Sequence, residues 1–161
     1  MADVSFLKKH DRYKEFDAMD LQALGKAMQE KSFAGGKDVY QQDVEEEATS
    51  VYFVKSGTIS LHKNVDGKER ILGKIGEGEF LGETSLISPA PHTVTARADG
   101  DAVLSVLDQD GYAQLQEQAP ATAFKVLDLF LTGLVLRLRE ADARLAEKFK
   151  AEPATAPQAA S

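Results

Sequence analysis

The sequence predicts a mainly β domain, a jelly-roll barrel with helices before it and one long helix after it. Three observations carry that expectation. Short β-branched and aromatic runs punctuated by glycine turns fill the middle of the chain, from Gly36 to about residue 108. Helical spacing of apolar residues is confined to the two ends. A chain of 161 residues with 43% hydrophobic content can bury one globular core.

Residues 3–30 read as helical, because Leu21, Leu24, Ala27 and Met28 recur at helical spacing. Asp17 suits the N-cap of that segment and Asp20 its first turn, where carboxylates meet free N–H groups. "VYFVKSGTISLHKNV" predicts two strands joined at Ser56-Gly57, and "NVDGKERILGKI" carries the hairpin dipeptide Asp66-Gly67. "HTVTARA" and "DAVLSVLD" predict a further pair around Asp99-Gly100. From Ala121 to about Phe149, Phe124, Leu127, Leu131, Leu134, Leu138, Ala141 and Leu145 step by three and four, a heptad stripe. Val126, Phe130 and Gly133 widen it. The Pro/Ala-rich ending predicts a disordered tail over 150–161 behind a single domain over 1–149.

Composition closes several function classes. The chain carries 26 acids against 19 bases, a formal charge of −7, and no basic cluster, so it is not expected to bind a nucleic-acid backbone. Without cysteine there is no disulfide, thiolate metal site or cysteine nucleophile. His10, His62 and His92 lack ligand spacing, so no metal is expected. No acid pair or nucleophile with a base is visible, so the chain reads as non-enzymatic, with no catalytic residues and no cofactor. "MADVSFLKKHDRYKEF" lacks the apolar centre of a signal peptide, and "LFLTGLVL" is too short to span a bilayer. The expectation is a soluble cytoplasmic domain.

The chemistry concentrates in "GEFLGETSLISPAPHTVTARA", residues 78–98. Gly82 allows a close backbone approach, and the turn from Glu83 to Ile87 offers free N–H groups suited to phosphate. Glu83 repels an anion but can accept a hydrogen bond from a sugar hydroxyl. On this stretch alone two readings stand: a nucleotide site, or a glycine-flanked turn in which Glu83 only caps N–H groups.

The order G-E-F-L-G-E-x-x-L, then Pro91, a polar residue and T-x-T-A-R-A, resembles the phosphate-binding cassette of the cyclic nucleotide-binding domain family. That family includes the catabolite activator protein and the regulatory subunits of cAMP-dependent protein kinase. "FLKKHDRYKEFDAMDLQALGKAM" is similar to its N-terminal helices, and "VYFVKSGTISL" to its strand-glycine-strand signature. The last helix matches its hinge and dimer helix in position. The resemblance implies a ligand-binding set of Gly82, Glu83, Thr84, Ser85, His92 and Thr93. Gly82 and the following N–H groups would hold phosphate, Glu83 the ribose 2′-hydroxyl, and Thr93 a further phosphate oxygen.

Two positions depart from the pattern. His92 stands where the family has its phosphate-binding arginine, and Gln42 where it usually has glycine. The acidic loop "VEEEATS" is also longer than usual. An arginine gives two charge-assisted hydrogen bonds at any relevant pH, whereas a histidine is mostly neutral at neutral pH. The resemblance implies a sensor of cAMP or another cyclic mononucleotide, signalling by conformational change to a protein partner. The alternative is a degenerate fold kept as a ligand-independent interaction or dimerisation scaffold. About a dozen residues follow the long helix, too few for a helix-turn-helix, so a stand-alone module is expected. Its heptad stripe predicts a homodimer.

Overall fold

A computed structural model describes residues 1–44 and 49–152. Most of the acidic loop and the end of the tail fall outside the described residues. Packing divides the chain into two units, residues 1–125 and 126–161.

In the first unit, two 3-10 turns, Ser5–Lys9 and Asp11–Tyr13, precede helix α1, Ala18–Ala27. Eight strands follow: β1 Gln29–Phe33, β2 Asp38–Tyr40, β3 Val51–Ser56, β4 Ile59–Val65, β5 Lys68–Ile75, β6 Phe80–Leu81, β7 Thr95–Ala98 and β8 Ala102–Leu107. Helix α2, Glu83–Ile87, lies between β6 and β7, and α3, Gln109–Gln118, follows β8. The long helix α4, Pro120–Ala151, begins in the first unit and makes up the described part of the second.

The strands form two antiparallel four-stranded sheets, β1-β8-β3-β6 and β2-β7-β4-β5. This is the expected jelly-roll order, but as two sheets rather than a closed barrel. The Asp66-Gly67 hairpin is as predicted: both residues have positive φ (53° and 77°), and Val65 pairs with Lys68. The pair expected around Asp99-Gly100 is not a pair. β7 belongs to one sheet and β8 to the other, and the same split separates β3 from β4 at Ser56-Gly57. These glycine turns are corners between sheets. The helical expectation also ran too far, since Gln29 and Glu30 begin β1. Helix α3 was not anticipated.

Between the sheets lie Val54, Ile59, Leu81, Ala96, Ala98, Ala102 and Leu104, all buried. Three alanines in this set let the sheets converge near the corners. There Gly57, at φ 90°, has no room for a side chain: a Cβ would lie 2.6 Å from the Asp101 carbonyl. Asp99 N–H donates to the Thr58 carbonyl (2.9 Å) and Gly36 N–H to the Ala98 carbonyl (2.8 Å), knitting three corners together.

The N-terminal turns brace the opposite side of the first sheet. Tyr13 packs near Phe53, with ring centroids 6.4 Å apart, and its hydroxyl donates to the Gly78 carbonyl at 2.7 Å. The His10 ring fills the space that a side chain on Gly78 would need. Asp17 and Asp20 form a capping box on α1. The Asp20 carboxylate, 5% exposed, also accepts from the Thr122 hydroxyl (2.6 Å) and the Lys125 ammonium (2.5 Å). It thereby holds the first turns of α4.

Burial alone would raise the Asp20 pKa, but its donors outweigh burial and hold the carboxyl below its ordinary range. A depressed pKa stabilises the fold above the unfolded value and loses that stabilisation as pH falls through the folded one. Asp20→Asn is expected to cost about 1.5–3 kcal/mol at pH 7 in urea unfolding. Its deficit relative to wild type should narrow as pH falls below about 4, where the unfolded-state carboxyl takes up its proton before the native one does. A deficit unchanged from pH 7 to pH 3 would show that the charge is not what matters.

Candidate functional site

Strand β6 is two buried residues paired with β3, Tyr52 opposite Leu81 and Phe53 opposite Phe80. It delivers the chain into Gly82, the N-cap of α2, at φ 86° and ψ 6°. Only glycine fits, because a Cβ there would lie 2.6 Å from the Ser50 carbonyl as well as in the left-handed region. The turn then closes on itself, with Ser85 N–H donating to the Gly82 carbonyl at 3.1 Å and Ser88 N–H to that of Thr84 at 2.8 Å.

This geometry sorts the expected residues. Glu83 is 1% exposed and Ser85 3% exposed, so a carboxylate and a hydroxyl two residues apart are both buried after a glycine turn. Thr84 is exposed. His92, just before β7, comes back onto the turn: Nδ1 lies 3.4 Å from Ser85 Oγ, and Cε1 lies 3.8 Å from where a Gly82 Cβ would stand. It is half-buried, and that burial lowers its pKa. Thr93 is exposed, with its carbonyl accepting from the Lys63 ammonium at 2.5 Å. The structure therefore brings Gly82, Glu83, Ser85 and His92 together and leaves Thr84 and Thr93 at the surface.

Two aromatic residues that sequence reasoning did not single out complete the neighbourhood. The Tyr40 ring stacks on His92 with centroids 3.5 Å apart and planes 12° apart. Tyr52 lies 5.8 Å from Tyr40, and its ring edge is 3.5 Å from the Gly82 Cβ position. The alternation in "VYFV" could have signalled Tyr52. Nothing local in "DVYQ" announces a stack with a residue fifty positions away.

Gln42 has a structural role on this scaffold. Its side-chain oxygen accepts from Asn64 N–H (2.9 Å), its amide donates to Asp43 Oδ2 (2.8 Å), and its own N–H donates to Thr95 Oγ1 (3.0 Å). It stitches the end of β2 to β4 and β7. Arg97 is no substitute for an arginine at position 92. Its guanidinium is taken by Asp38 (2.7 Å) and Glu69 (3.4 Å), with which it lines a polar depression of about 460 Å³. Among the described residues no cluster of His, Asp and Glu is placed to hold a metal ion.

A two-sheet roll carrying a glycine-led turn with a buried acid is a fold found among known proteins, and similarity to them gives its family. Residues 30–119 match the cyclic nucleotide-binding domain, and the chain belongs to that family. A cyclic AMP receptor protein of Thermus thermophilus is 34% identical over 119 residues, 73% of this chain and 52% of that protein. A cAMP-dependent protein kinase type II regulatory subunit of Drosophila melanogaster is 27% identical over 113 residues, 70% of this chain and 28% of that protein. The chain thus spans about half the length of the first and under a third of the second. A cyclic nucleotide-binding domain from Methylobacillus flagellatus shares the fold, with a TM-score of 0.77 at 22% identity, over 89% of this chain and 80% of that one.

The Gly82 turn makes a direct prediction. Gly82→Ala must place a side chain in the left-handed region, at roughly 1–2 kcal/mol, and push the Ser50 carbonyl aside as well. Chemical unfolding should show a loss of at least about 2 kcal/mol. Wild-type stability in this variant would show that the turn is not constrained as described.

Proposed function

We propose that the domain binds a cyclic mononucleotide, cAMP first among them, and signals by a change of shape transmitted to a partner. The observation that carries this reading is the buried pair Glu83 and Ser85 on a glycine-led turn, with an imidazole brought back over it. A cyclic phosphate is a singly charged anion without a terminal group. It suits backbone N–H groups at Gly82 and beyond, the Ser85 hydroxyl and the His92 ring. Glu83 supplies what an anion does not want and a ribose 2′-hydroxyl does, an acceptor. The names of two relatives carry cAMP, which supports that ligand class. The scaffold alternative draws on one observation, the half-buried histidine whose burial disfavours a charge.

Binding calorimetry with cAMP, cGMP and linear AMP tests the reading. Wild type should bind a cyclic nucleotide in preference to linear AMP. Glu83→Gln, which keeps the side-chain shape, should weaken binding about ten- to a hundredfold while circular dichroism stays native. Equal affinities would remove Glu83 from the site. No heat with any cyclic nucleotide would favour the scaffold.

The reading extends to a homodimer through α4. Phe124, Leu131, Leu138 and Leu145 are 70%, 50%, 62% and 52% exposed and recur every seven residues. An apolar heptad left in water is the signature of a helix seam. Leu138→Glu would bury a charge without a partner in that seam. Sedimentation of wild type should show a dimer and of Leu138→Glu a monomer with the same β signature. A wild type monomeric at high concentration would sink the idea. Among the described residues no helix is long and apolar enough to cross a membrane.

A further inference from the structure

We propose that Tyr40 is a positioning residue for His92, stacking on the imidazole beside the Gly82 turn and favouring its charged form, so that the nucleotide's phosphate is bound together with a proton. The inference rests on the nucleotide reading above and adds to it a second residue and a proton.

The stack itself points this way. Centroids 3.5 Å apart with planes 12° apart describe two rings almost face to face. Neutral aromatic rings disfavour that arrangement, because their like-charged faces repel, and they settle offset or edge-on. A cation over the face of a tyrosine is attracted. The geometry is therefore better matched to imidazolium over phenol than to neutral imidazole. Two hydrogen bonds donated by the backbone just after Tyr40 hold the two ring-bearing segments together. Asp43 N–H donates to the His92 carbonyl at 2.9 Å, and Gln42 N–H donates to Thr95 Oγ1 at 3.0 Å. The segment that carries Tyr40 is thus tied to the segment that carries His92 independently of any ligand.

With Nδ1 turned to Ser85 Oγ at 3.4 Å, Nε2 is the nitrogen left to meet a ligand oxygen. Burial opposes the charge in the free protein. A phosphate anion supplies the compensation, so the imidazole pKa rises on binding. The surrounding elements contribute few other ionisable groups among the described residues. Tyr52 on β3 is kept neutral by burial, Glu83 heads α2, Asp43 precedes the loop, and Lys63 on β4 sits on the carbonyl of Thr93. None of them offsets the burial that lowers the His92 pKa in the free protein.

The sign follows from the order of the two pKa values. Above the bound-state value affinity is low and flat. It rises as pH falls between the bound and free values, and it levels off below the free one.

The test reads His92 first without nucleotide, by NMR titration of its ring in wild type, Tyr40→Phe, Tyr40→Leu and Tyr40→Trp. Phe keeps the ring and should titrate with wild type. Leu should titrate about half to one pH unit lower, and Trp, the stronger cation platform, higher. The Trp variant tests the same stack in the opposite direction, should the Leu variant fail to fold. Calorimetry of cAMP binding in buffers of different ionisation enthalpy should then show proton uptake in wild type, with the affinity profile displaced to lower pH in Tyr40→Leu. A ring that titrates alike in all four proteins overturns the role of Tyr40. A Tyr40-dependent titration with no cAMP binding overturns the nucleotide reading instead.

Discussion

The close approach of Gly57 to the Asp101–Ala102 backbone is the constraint on which the roll depends. The Ser56-Gly57 corner hands the chain from the first sheet to the second, and the Asp99–Asp101 corner hands it back. The two corners pack with no side chain between them. The alanines at 96, 98 and 102 extend that intimacy into the core. Both sheets are thereby held at a separation set by small residues at one end. β3 then carries the arrangement six residues along to Ser50, whose carbonyl presses on Gly82.

The candidate site is built across this gap. Gly82 and α2 hang from β6 in the first sheet, while Tyr40 and His92 belong to β2 and the entry to β7 in the second. Neither sheet holds the site alone. The distance between the turn and the imidazole is a property of how the sheets pack, fixed by residues that touch no ligand. The buried acid and hydroxyl on α2 and the aromatic stack opposite are thus brought to contact distance by the core.

Much of this was legible in the sequence, and what was not has physical reasons. Asp66-Gly67 could be read because a two-residue hairpin needs positive φ at both positions, which few residue pairs accept. Ser56-Gly57 and Asp99-Gly100 were visible as turns. Whether a turn closes a hairpin or crosses between sheets depends on distant partners that the local residues do not encode. Strand β1 was invisible because four of its five residues are exposed and polar, so it lacks the alternation of a half-buried strand. At the site, Gly82, Glu83 and His92 stood out by type and spacing. Tyr40 did not, since its importance arises only from a stack across the fold. Gln42 looked like a damaged glycine position. The structure makes it a hydrogen-bonding bridge between three strands.

The bond from Tyr13 to the Gly78 carbonyl bears on where this domain begins. The stretch that matches the family's binding domain starts at residue 30, yet the turn that feeds β6 and the Gly82 cassette is propped from behind by Tyr13 and by the His10 ring. A version trimmed to the recognisable stretch would keep every residue expected to meet a ligand. It would lose the wall those residues lean on. The mechanical boundary of the binding module therefore lies upstream of residue 30, and His10 and Tyr13 belong to the instrument rather than to its packaging.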